Sequence, residues 1–439
     1  MTRGRRRVEQ YRPRRARSLD KAKARDDEPT VHEPDEALSL ILGALAGVAP
    51  LPPERVSFRD ALGRSLAEDV AARRSLPPFD SAQMDGYALR ARDARRPGAR
   101  LHVAFEVFAG AAIPPPLPEG CCCRIYTGAP IPPGADAVEM QEEVSRRGAV
   151  AGFRRAAERG RFVRRAGSDV GDGEIALRAG TVLDPGAIGL AAALGRTELA
   201  VHRRPRVAVL ATGDEIAPVD HTPAPCQILD SNSHALAAAC SEAGAIPVLL
   251  PIARDSPRSL ARALSGIEAF DALVSTGGVS VGEKDLVKAA LERAGARLDL
   301  WRVAMRPGKP IAFGRLRRTA VFGLPGNPAS ALVTFELFVR PALRRLAGLP
   351  GRGRAVVTAT LTAEVRKAAG LTHYLRARAH VRRGRLLVEP LASQTSGDLT
   401  SATAFQALAV LPREMTRARK GEQVEAILVA APVESERKI

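Results

Sequence analysis

Several loops of this sequence combine glycine, hydroxyl groups and charge in ways that suit phosphate or metal chemistry. Thr212-Gly213-Asp214-Glu215 delivers two carboxylates directly after an apolar run. Hard oxygen donors suit Mg²⁺, which often shares its coordination with phosphates; one of the two could equally cap the next turn. Ser275-Thr276-Gly277-Gly278-Val279-Ser280-Val281-Gly282 sets glycines and hydroxyls where backbone N–H groups can cradle an oxyanion, with Asp285 beyond as a helix cap or a ligand. No Gly-Lys-Ser/Thr follows, so this is not a Walker A loop. Arg302, Arg306 and Lys309 lie on a loop stiffened by Pro307, Gly308 and Pro310. Such a set can clamp an oxyanion or simply be solvated. Gly323-Leu324-Pro325-Gly326-Asn327-Pro328 reads as punctuation between a strand and a helix, and Ser81–Ala88 and Tyr126–Asp136 read singly as turns.

The elements that must position these loops follow from periodicity. Leu38, Ile41, Leu42, Leu45 and Val48 recur at helical spacing, and Pro50, Pro52 and Pro53 end that helix. Up to about Ala166 the apolar pieces are short and turn-bounded, as in an all-β module. From Arg206 strands alternate with helices: Arg206–Ala211, Ile246–Ile252 and Ala272–Ser275 are apolar runs. Ser231 or Asn232 is the expected cap of the first helix, and Ser256-Pro257 of the second. That alternation predicts a parallel sheet covered on both faces, with ligands beyond the carboxyl ends of its strands. After Gly353 short strands return, predicting a C-terminal β-barrel or sandwich. The fold class is therefore α/β plus β. The expected units are a basic tail (1–30), a linking domain (31–80 and 168–202), a β-rich insert (81–167), an α/β domain (203–347) and a C-terminal β domain (348–439).

Composition narrows the chemistry. The 439 residues contain only 4% aromatics, so packing rests on Ala, Leu, Val and Ile. No apolar run approaches the ~18 residues of a membrane span, and no secretory signal is evident, so a cytoplasmic protein is expected. Half of the net charge of +18 sits in residues 1–25, a tail whose basicity would suit nucleic acid or an acidic partner but equally a solvated extension. Cys121, Cys122 and Cys123 alternate faces of one strand and make a poor metal cage, and the seven histidines are scattered. No HExxH, Cys-x-x-Cys or Ser/His/Asp order appears.

Taken together and in order, the motifs SAQMDGYALR (81–90), YTGAPIPPGAD (126–136), RRAGSDVGDGE (164–174), ATGDEIAP (211–218), ILDSN (228–232), STGGVSVGEKD (275–285), MRPGKPIAFG (305–314) and GLPGNPAS (323–330) carry a resemblance. From about Glu33 to Pro432 the chain resembles the molybdopterin molybdenumtransferase family, the MoeA proteins of bacteria and the gephyrin E domain of animals. The resemblance implies an enzyme that takes adenylylated molybdopterin and molybdate, releases AMP with Mg²⁺, and leaves molybdenum on the dithiolene sulfurs. It implies a homodimer of four-domain subunits whose cleft lies between the α/β domain of one subunit and the β-rich domains of the other. A molybdopterin adenylyltransferase would be a natural partner.

Carried over residue by residue, the resemblance implies catalytic roles for Asp85, Thr127, Asp169, Glu215 and Asp285. Glu215, Asp255 and Asp285 would hold metal. Arg164, Gly277, Gly278, Ser280, Arg302, Arg306, Lys309, Pro325, Asn327, Arg376 and Ser396 would contact substrate. Arg302 and Arg306 stand where the family usually has lysines, replacing a point charge with a planar fork. Ser168 stands where a glutamate is common. The alternatives are an adenylyltransferase, because the α/β domain resembles those smaller enzymes too, and a non-catalytic scaffold of the same fold.

Overall fold

A computed structural model describes residues 31–110, 112–277, 286–351 and 353–434. The basic tail and three expected site residues, Gly278, Ser280 and Asp285, lie outside the described residues.

The α/β region is built on a seven-stranded sheet. Its order is Val31–His32, Arg297–Val303, Pro310–Leu316, Thr319–Leu324, Ala272–Thr276, Arg206–Ala211 and Ile246–Leu249. The last four are mutually parallel, as the alternation of strands and helices requires. Residues buried on both faces fill the inner three of these, while the edge strand Ile246–Leu249 is partly exposed: Val207, Val209, Val274 and Phe322 pack on one side, Ala208, Leu210, Leu273 and Val321 on the other. Beyond Thr319–Leu324 the sheet turns antiparallel, because the two residues Arg317 and Arg318 leave room only for a hairpin, with Arg317 at φ +55°. The predicted N-terminal helix, Pro34–Ala44, starts with Pro at its first turn and lays Leu38, Ile41 and Leu45 into the first of these faces.

Strands between residues 86 and 153 form an inserted six-stranded sheet, ordered Ala137–Met140, Gly86–Leu89, Cys121–Ile125, Arg100–Val107, Val150–Phe153 and Val144–Arg147, and the separate pair Ser81–Ala82 and Val163–Arg164 flanks it. Gly86 is obligatory there, since a Cβ would stand 1.9 Å from the Glu139 carbonyl oxygen. Cys122 and Cys123 are buried in opposite cores of this sheet, and burial pushes both thiols up to about 12, so they behave as small apolar side chains. Residues either side of the insert share a third core around Leu66, Leu183 and Val201, knitted by the pair Pro53–Ser57 and Glu198–His202. The C-terminal region is a closed barrel: Thr372–Arg382 pairs with both Arg385–Pro390 and Ala407–Leu411, which completes the ring through Gln423–Leu428 and Val356–Leu361.

The predicted helix after Pro328 is continuous to Leu346 but contains a π turn at Phe335–Val339. Pro341, just beyond, has no N–H for the preceding turn. This helix carries a buried ion network. Glu336 accepts from Arg340 Nε (2.7 Å) and Arg354 Nε (2.8 Å), and both arginines also reach Glu242. Burial pushes the Glu336 carboxyl up, but the bonds from Arg340 and Arg354 outweigh it and hold it below the usual carboxylate range. Its stabilisation is therefore present above the unfolded-state pKa and is lost as pH falls through the lower folded value. Glu336→Ala, leaving two buried guanidiniums short of a partner, should cost about 3–5 kcal/mol in urea unfolding at neutral pH. The difference from wild type should shrink at acid pH.

Candidate functional site

The carboxyl ends of Arg206–Ala211, Ala272–Thr276 and Thr319–Leu324 open into one cleft of about 450 Å³. Thr212, Glu215, Asp230, Asn232, Thr276, Gly277, Pro325 and Asn327 are among its lining residues. The loops brace one another. Thr212 N–H donates to Thr276 O (3.1 Å) and Gly277 N–H to Leu324 O (3.3 Å). Gly277 adopts φ +88°, and a Cβ there would meet Thr212 O at 2.7 Å, so the chain can pass only as glycine.

Asn232 is the clamp that sequence reasoning missed. Its Nδ2 donates to Thr276 Oγ1 (3.0 Å) and to Gly326 O (2.6 Å), joining two loops that follow different strands of the sheet. Ser231 stands at the expected N-cap position but makes no side-chain cap bond; Asp230 Oδ1 accepts from Ser233 N–H instead (3.0 Å), and the Asn232 Nδ2 donates into the cleft. Ser256 does cap the next helix, accepting from Ser259 N–H at 3.3 Å.

Glu215 faces the cleft, and Asp214 and Asp255 stand beside it. Asp255 N–H donates to Asp214 Oδ1 (3.2 Å), while Arg254 grips the carbonyls of Asp214 and Ile216. Burial, then the charges of Asp214 and Glu215, push the Asp255 carboxyl up. Crowded carboxylates of this sort have the donor chemistry of a hard divalent cation. Among the described residues, however, no group of three or more potential ligands is placed to hold a metal ion.

The cationic loop lies between the α/β sheet and the barrel. Met305–Arg306 pairs in parallel with Thr372 and His373, and Arg306 and Lys309 are exposed without a described side-chain partner. Arg302 is half-buried, with a buried Nε that no described group accepts. Burial, then Lys367 and Arg306, push His373 down to about 4, so it adds no charge at neutral pH. Arg376 is fully buried: its Nη2 donates to Ser393 O (3.2 Å) and Thr395 O (3.0 Å), while Nε and Nη1 have no partner among the described residues. The loop it holds presents Ser396, whose Oγ accepts from Asn327 Nδ2 (3.0 Å) and whose carbonyl accepts from Ala329 N–H (3.1 Å). The barrel thereby braces the Pro328 helix at the cleft edge.

The remaining expected residues sit elsewhere. Asp85 and Thr127 meet on the inserted sheet, where Asp85 Oδ1 accepts from Thr127 Oγ1 (2.7 Å) and Thr127 N–H (2.8 Å). Arg164 pairs with Asp169, and neighbouring Arg165 with Asp80 (2.6 Å). None of these four expected residues lines the cleft of the same chain. The Thr127 hydroxyl first, then its N–H and the charge of Arg124, hold the Asp85 carboxyl below the usual range. Thr127→Val removes the first cause and leaves the second. The Asp85 pKa should rise yet stay below that of a free aspartate, read by carboxyl ¹³C NMR titration; an unmoved value would show that the hydroxyl does not set it.

Three family models match in succession: the MoeA N-terminal region (domain I and II) over residues 32–195, a probable molybdopterin binding domain over 208–345, and the MoeA C-terminal region (domain IV) over 358–429. The chain is 40% identical over 336 residues to molybdopterin molybdenumtransferase 2 of Mycobacterium tuberculosis (strain H37Rv), covering 74% of this chain and 83% of that protein. It is 34% identical over 398 residues to the molybdopterin molybdenumtransferase of Haemophilus influenzae, covering 89% and 96%. A solved molybdopterin biosynthesis MoeA protein of Pyrococcus horikoshii superposes with a TM-score of 0.79 at 29% identity, over 91% of this chain and all of that one. With all three regions matched in order and relatives at this identity along most of its length, the chain belongs to the MoeA family of molybdopterin molybdenumtransferases.

Proposed function

We propose that the chain transfers molybdenum from molybdate to adenylylated molybdopterin and releases AMP. The observation that carries this is the cleft at the strand ends, which joins a backbone cradle and carboxylates to Pro310 of the cationic loop, within a chain matched to this family over residues 32–195, 208–345 and 358–429. The N-terminal and C-terminal regions, beyond the α/β domain itself, favour it over an adenylyltransferase, and the retained acidic and basic residues favour it over a scaffold.

Within this reading Gly277 and the start of the Pro328 helix receive the phosphate side of the substrate through backbone N–H groups. Arg302, Arg306 and Lys309 hold molybdate and offset charge on the departing phosphate. Arg306 is a planar fork, so it would grip two oxygens of an oxyanion where a lysine would touch one. Glu215, with Asp255 and Asp285, would hold Mg²⁺, which when bound polarises the phosphoanhydride. Arg376 and Ser396 position the helix start. Asp85, Thr127, Arg164 and Asp169 do not reach the cleft of their own chain, so the reading includes a homodimer in which the partner subunit presents them. It also includes a cytoplasmic setting and delivery of substrate by an adenylyltransferase; among the described residues no helix is long and apolar enough to cross a membrane.

AMP release from adenylylated molybdopterin should require both molybdate and Mg²⁺. Glu215→Ala and Asp85→Ala should each lower kcat by about 10²-fold or more, the scale of losing a group that acts in the transition state. Lys309→Ala should mainly raise the KM for molybdate. Substrate that binds without AMP release would move the chain to a carrier or scaffold role.

A further inference from the structure

We propose that Phe108, Tyr126 and Arg124 form a stacking ledge that holds a flat nitrogen heterocycle of the substrate beside Asp85, an inference that rests on the reaction assigned above. The rings of Phe108 and Tyr126 lie 4.6 Å apart and only 10° from parallel. The Arg124 guanidinium sits 4.9 Å from the Tyr126 ring centre and is fixed by the Gly86 carbonyl (3.2 Å) and by Gln141. Both rings follow directly from adjacent strand ends, since Val107 is in register with Ile125 and Tyr126 N–H donates to Val107 O (3.2 Å). The ledge is thus set on rigid backbone rather than on a free loop.

Core packing does not account for it. Neither ring belongs to either hydrophobic core of the inserted sheet, and Phe108 is 55% exposed. A large aromatic held stacked yet more than half open leaves surface on which a further flat ring can stack, and Arg beneath the pair adds a cation–π contribution. The next residue, Thr127, fills Asp85 Oδ1 with two donors, while Asp85 Oδ2 accepts nothing from any described residue. That oxygen is open to an N–H on the edge of a ring resting on the ledge. A flat ring bearing N–H donors is the shared chemistry of the two ends of the substrate, the pterin and the adenine.

The test titrates the full-length chain with 6-hydroxymethylpterin and separately with AMP, comparing wild type, Phe108→Ala and Phe108→Tyr. Phe108 is open to solvent, so both variants should fold. Loss of the ring should weaken one of the two probes by about ten-fold, and Phe108→Tyr should recover most of it. The probe affected identifies the ring. In turnover Phe108→Ala should raise the KM for adenylylated molybdopterin by about as much, well beyond any fall in kcat. Wild-type chain that binds neither probe, or Phe108→Ala that binds both as wild type does, overturns the proposal. So does a weakened dimer with unchanged probe binding, which would give the ledge to a second copy. Normal AMP release with an indifferent Phe108 sinks the ledge alone; ledge-dependent ring binding without AMP release sinks the reaction alone.

Discussion

The approach of Gly277 to the Thr212 carbonyl, too close for any side chain, is the constraint on which the cleft depends. It brings the ends of the two central parallel strands into contact, and Gly326 then packs against Gly277 from the third. Hydrogen bonds from Asn232 lock that arrangement from the following helix. A preformed cradle of this kind needs little reorganisation when an anion arrives, which is where electrostatic binding is most effective.

Charge is handled differently in the interior and at the rim. Inside, Glu336 pairs with Arg340 and Arg354, and the more exposed Glu242 pairs with both from the surface, so these cations serve the junction of the helix with the barrel. On the loop leading to Pro310, which lines the cleft, Arg306 and Lys309 have no described side-chain partner, and Arg302 keeps a nitrogen that no described group accepts. Unpaired cations beside a backbone anion cradle cost stability and favour binding of a polyanion. Arg376 stands between the two cases. It is fully buried and half satisfied, and its visible work is to shape the loop that carries Ser396 to Asn327.

The inserted sheet supplies a second chemical surface in the same chain, remote from the cleft. Thr127 holds the Asp85 carboxyl below its usual range, and beside it Phe108 is exposed, stacked on Tyr126 at rigid strand ends. In the proposed reading the two surfaces act on one ligand, which symmetric pairing of two chains would bring about.

Much of this was legible in one dimension. Helical spacing from Leu38 to Leu45, apolar runs such as Arg206–Ala211, and glycine-rich strand ends each encode a local preference, so the α/β region, the β-rich insert and the loops at the carboxyl ends follow from short-range chemistry. The ordered motifs identified the family. What tertiary structure alone decided concerns pairs distant in sequence. The roles of Asn232 as clamp rather than cap, of Arg376 as a buried brace, and of Phe108 with Tyr126 as a ledge rest on partners up to 94 residues away. The antiparallel half of the sheet likewise depends on how Arg317 turns and on which strand Pro310–Leu316 then meets. Local propensity carries no information on such meetings, because a side chain's hydrogen-bond partner is set by packing of whole elements and not by its neighbours along the chain.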